Sequence, residues 1–145
     1  MLAAGQTVYG LTTHSLELAL YLWPVSVVIL LAAVLAIAIR PPFRDATFRK
    51  ALPWILATYA FPLAVVGVGT VLRYDGPPPP NWVEMPSWRG AVVWAVVIAH
   101  GLAAIALALV RRGVRLRSFV LALPGVWLSV SVGFVAILAI YAVGL

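Results

Sequence analysis

Two histidines and four carboxylates are nearly all that this 145-residue chain offers for proton transfer or ligation, since it contains no cysteine. His100 interrupts the apolar run GAVVWAVVIAHGLAAIALALV, ten residues after Gly90. At about 1.5 Å per helical residue that depth is close to the middle of a bilayer, where an ionisable group is a candidate for function. A neutral imidazole there needs hydrogen-bond partners, and Ser129, Ser131, Thr58 and Tyr59 lie at similar depth in neighbouring apolar runs. The bland alternative is a structural histidine satisfied by such a hydroxyl.

His14, Glu17 and Tyr21 form the second constellation, at spacings of three and four residues that place them on one helix face. A histidine beside a carboxylate at the edge of an apolar slot suits a cation, a relayed proton or a quinone head group. Against this stands a capped helix start, with His14 and Ser15 just ahead of the apolar run and Glu17 in a first turn whose dipole favours negative charge. Haem b is a further expectation for His100. A bis-histidine site needs two ligands at matching depth, and His14 is more than half a membrane away, so a partner subunit would supply the second or the iron would be five-coordinate.

Other chemistry has little to stand on. The sequence holds no GxSxG, no HExxH, no phosphate-binding glycine loop and no carboxylate pair within one helix. Without cysteine, disulfides, thiolate metal sites and thioether haem attachment are excluded.

What positions these residues is a set of apolar helices. Hydrophobic residues make up 64% of the chain and charged ones 10%, with a mean hydropathy of +1.08. Four runs approach or exceed the roughly 20 residues needed to cross about 30 Å of hydrocarbon: 16–39, 51–72, 90–110 and 119–143. Runs such as VVILLAAVLAIAI do not alternate in polarity, which excludes a β-barrel and predicts helices. The expected fold is therefore an all-α integral membrane protein, one domain of four transmembrane helices in an antiparallel bundle. Pro62 near the centre of the second run predicts a kink, and Pro24 and Pro124 predict bends in the first and last.

Charge sets the expected orientation. The net charge is +6, and eight of the ten basic residues fall in two short stretches: Arg40, Arg44, Arg49 and Lys50, then Arg111, Arg112, Arg115 and Arg117. Short basic loops stay in the cytoplasm, so both face inside and both termini face outside. The same distribution favours lipid head groups over nucleic acid as the partner of the positive charge. The first run lacks the basic start of a cleaved signal and is expected to remain in the mature chain. The expected location is a prokaryotic inner (cytoplasmic) membrane.

Small residues are the expected contact surfaces, because lipid is as apolar as leucine and close approach must supply the attraction between helices. Ala91, Ala95, Ala99 and Ala103 recur at intervals of four in the third run, as do Gly125, Ser129 and Gly133 in the fourth. These two rows are expected to pack together. Between the second and third runs, residues 73–89 form the outer loop, carrying Pro77, Pro78, Pro79 and Pro80 with Trp82 and Trp88. A polyproline segment is stiff, and tryptophans are favoured interface anchors, so this loop is the expected partner contact.

Together these features lead to one expectation, a non-catalytic accessory subunit of a larger membrane complex, of the respiratory or photosynthetic electron-transport kind. The alternatives are a quinone- or haem b-binding redox subunit using His100 or the His14 group, and a small homo-oligomeric transporter.

Overall fold

The computed structural model describes residues 2–39, 46–73, 87–110 and 115–140. Among them are six helices and no strand: α1 (Leu2–Tyr21), α2 (Trp23–Ile39), α3 (Ala46–Thr58), α4 (Ala60–Leu72), α5 (Ser87–Val110) and α6 (Arg115–Ile140). Three segments are long and apolar enough to cross a membrane: Ala46–Leu72, Trp88–Val110 and Arg115–Ile140. The bent pair Tyr9–Leu18 and Trp23–Ile39 makes a fourth if it counts as one span.

Proline placement explains both breaks. Pro24 is the second residue of α2, where its fixed φ suits a first turn and its missing N–H costs nothing. Continuing α1 through it would lose a ladder bond, and the chain instead turns at Leu22, whose carbonyl accepts from Val25 at 3.0 Å and Ser26 at 3.2 Å. The angle across this turn is 89°. The expected single first helix, 16–39, is thus two helices, and the first begins at Leu2. By itself α2 has 17 residues, about 26 Å at 1.5 Å each.

The second break lies at Tyr59, three residues before Pro62. The Thr58 hydroxyl donates to the Ile55 carbonyl at 2.7 Å, which a regular ladder would give to the Tyr59 amide. That amide turns to Leu56 instead, at 3.0 Å. The kink predicted from Pro62 is therefore a one-residue interruption, and α3 with α4 still makes one 27-residue span.

Helix α6 is the axis of the molecule and packs against every other helix. Two apolar clusters lie along it. Ala33, Phe48, Ala51, Ile55 and Leu121 gather where α2 ends and α3 and α6 begin. Leu11, Val65, Val93, Val97, Val132, Val135, Ala136 and Ile140 fill the opposite half. Glycines let the backbones approach there: a Cβ on Gly133 would lie 2.8 Å from Val97 Cγ2, and one on Gly69 would lie 2.7 Å from Ala136 Cβ.

The face that α5 turns inward corrects the expected alanine row. Gly90, Val93, Val97, His100 and Ala104 are buried, whereas Ala91, Ala95 and Ala99 are exposed and Ala103 is half-buried. Four residues exceed one turn by about 40°, so the alanine row winds about 120° around the helix between positions 91 and 103. Spacings of 4, 3 and 4 hold Val93, Val97, His100 and Ala104 within about 60°. On α6, by contrast, Gly125, Ser129 and Gly133 are all buried.

Candidate functional sites

A polar centre lies between the two apolar clusters. His100 comes from α5, Ser129 and Gly125 from α6, Tyr59 from the α3–α4 break and Phe61 from the start of α4. His100 is 0% exposed. Its Nδ1 hydrogen-bonds to Ser129 Oγ at 2.7 Å, and its ring stacks on Phe61 with centroids 4.8 Å apart and planes 13° from parallel. A Cβ on Gly125 would lie 3.3 Å from His100 Cε1 and from the Tyr59 ring, so glycine there leaves room for both.

The Tyr59 hydroxyl donates to the Leu121 carbonyl at 2.6 Å. Of the four hydroxyls expected near His100, only that of Ser129 reaches it. Thr58 bonds to Ile55, Tyr59 to Leu121, and Ser131 to the Trp127 carbonyl at 3.1 Å.

The second imidazole nitrogen, Nε2, is buried and has no hydrogen-bond partner among the described residues. Because a neutral imidazole has one donor and one acceptor, either tautomer leaves one of them unpaired. Nε2 is also the atom that would have to ligate haem, and in this packing it is enclosed by protein rather than open to a flat macrocycle.

The His14 constellation assembles as the spacing predicts, in different surroundings. His14 Nδ1–H donates to Glu17 Oε2 at 2.9 Å, and the two side chains are 42% and 63% exposed. Both lie well inside α1 rather than at a helix start, and the Ser15 hydroxyl donates back to the Leu11 carbonyl instead of capping. Glu17 is thus in the C-terminal half of its helix, where the dipole disfavours a carboxylate and a hydrogen-bonded histidine offsets that cost. Leu11 and Ser15 are buried and Leu18 half-buried, so this face of α1 docks while His14, Glu17 and Tyr21 ride along its edge. Together with Leu18 they face Phe134, Val135 and Leu138 of α6 across an open groove of about 320 Å³.

Three contacts had no place in the sequence reading. Trp127 Nε1 donates to Ser26 Oγ at 3.0 Å, tying α6 to α2. Arg117 reaches inward, donating from Nε to the Ala36 carbonyl at 3.0 Å while its guanidinium lies 3.8 Å from the Phe48 ring centroid. Phe61 covers the imidazole. A tryptophan inside an apolar run was a usable signal for the first, because a buried indole N–H seeks an acceptor.

Pro77, Pro78, Pro79, Pro80 and Trp82 lie outside the described residues. Trp88 is exposed in the first turn of α5, with Arg89 Cζ 5.8 Å from its ring centroid. Among the described residues no group of three or more His, Cys, Asp or Glu side chains is placed to hold a metal ion. Comparison with known protein families, curated proteins and solved structures finds no match to this chain.

Proposed function

We propose that the chain is an integral membrane protein that serves as a packing subunit of a larger membrane assembly, contributing surface rather than reaction chemistry. The observation that carries this reading is where its intramembrane polar groups go. His100 to Ser129, Tyr59 to Leu121 and Trp127 to Ser26 cross between helices, and at the basic end of α6 Arg117 does the same to Ala36, whereas Thr58 and Ser131 bond back along their own segments. Polar side chains used in this way hold helices together where the hydrophobic effect does not.

The basic stretches at 40–50 and 111–117 support an orientation with those ends in the cytoplasm and both termini outside. The helix best suited to a partner is α2. It docks through Ser26, Ile29, Ala33 and Ala36, of which only Ala33 is fully buried, and turns Val28, Leu31 and Leu35 outward on one stripe. Respiratory or photosynthetic electron transport is the kind of assembly proposed, on the ground of a small, almost wholly apolar subunit with few reactive groups.

Photo-crosslinking side chains placed at Val28, Leu31 and Leu35 test the docking face in native membranes. The reading expects discrete protein adducts of constant mass from this stripe. Lipid adducts alone at all three positions would remove α2 as a partner surface.

A further inference from the structure

The groove between α1 and α6 brings together a polar pair and an apolar floor, and neither is absorbed by the packing function. Its walls are Leu18, Val135 and Leu138 with the aromatic rings of Tyr21 and Phe134, and its polar edge is His14 with Glu17. A volume of about 320 Å³ is at the lower end of what small-molecule sites occupy. The geometry points to a binding site for a lipid-soluble hydroquinone, an apolar ring bearing hydroxyl groups.

The hydrogen bond from His14 Nδ1–H to Glu17 Oε2 sets the selectivity. In the tautomer that this bond selects, Nδ1 holds the proton and Nε2 is a lone-pair acceptor, so the ligand atom that this tautomer can meet is a donor. A hydroxyl qualifies and a carbonyl or ether does not. The Glu17 carboxylate beside it disfavours phosphate head groups by like-charge repulsion, which argues against an ordinary anionic phospholipid. The remaining wall suits a flat ring with an apolar tail: Tyr21 and Phe134 are exposed aromatic surfaces, and Leu18, Val135 and Leu138 continue the apolar floor. The arrangement is a binding site only; electron transfer would need an acceptor and is no part of the inference.

The test is equilibrium binding of decylhydroquinone to the full chain in lipid nanodiscs under anaerobic reducing conditions, with its dimethyl ether as the matched compound lacking donors. The expected result is saturable binding of decylhydroquinone, with the ether weaker by about tenfold, the scale of one hydrogen bond. His14→Ala should erase that difference, and Glu17→Ala should reduce it by releasing the tautomer. Phe134→Ala should weaken both compounds. His14 and Glu17 are partly exposed on α1, so their loss should shift thermal unfolding only slightly, which separates a binding defect from misfolding. Equal affinity for the two compounds, or a difference that survives His14→Ala, would overturn the assignment.

Discussion

Ser129 does for His100 what water does for a histidine at a surface, and only in part, since Nε2 stays unpaired. Replacing His100 by alanine removes a ring packed on Phe61 and leaves the Ser129 hydroxyl without its partner. The expected loss is about 2–4 kcal/mol, read from reversible unfolding in mixed micelles. Tyr59→Phe keeps the ring and drops only the bond to the Leu121 carbonyl, so about 1 kcal/mol is expected in the same assay. Depth along a helix is legible in sequence because each residue adds a fixed rise, and that alone selected four hydroxyls for His100. Rotation is not. Thr58 and Ser131 spend their hydroxyls on carbonyls three and four residues back, and the break at Tyr59 decides which way Tyr59 and Phe61 point.

Glycines divide into those at helix contacts and those facing open space. Gly69→Ala would set a methyl 2.7 Å from Ala136 Cβ and 3.5 Å from its Cα, and Gly133→Ala would set one 2.8 Å from Val97 Cγ2. Each is expected to destabilise by about 1–3 kcal/mol as overpacking. Gly67 and Gly101 meet nothing within 4 Å of a built Cβ, and their alanine variants are expected to be neutral or to gain up to about 1 kcal/mol from helix propensity. Unfolding of the four variants side by side checks the pattern. Arg117→Lys keeps the charge but loses both the Ala36 bond and the planar contact with Phe48, and should loosen α2 from α6. Faster amide exchange in the second half of α2 would register it. The helical kind of the long apolar elements was legible from their length and unbroken hydropathy, and three of the four expected runs are single stretches long and apolar enough to cross a membrane. Helix ends were not: α5 and α6 start at Ser87 and Arg115, three and four residues before their apolar runs, because hydropathy marks the hydrocarbon core rather than the last helical turn. The α1–α2 turn was signalled by Pro24, yet a run of unbroken hydropathy does not distinguish a bent helix from two helices at 89°.

At the scale of the whole molecule, α6 acts as a central post, held to α2, α5 and the α3–α4 break by polar bonds and to α1 by apolar packing. The proposed orientation rests on charge and can be tested directly, since a chain without cysteine gives an unambiguous signal from one introduced thiol. Pro79→Cys is expected to react with an impermeant maleimide on intact cells, and Pro42→Cys and Gly113→Cys only after permeabilisation. A packing subunit must also have something to pack against. The most direct measurement is the native mass of the tagged chain extracted in mild detergent. A discrete assembly containing other membrane subunits is the predicted result, and a monodisperse lone monomer with turnover of its own would contradict it.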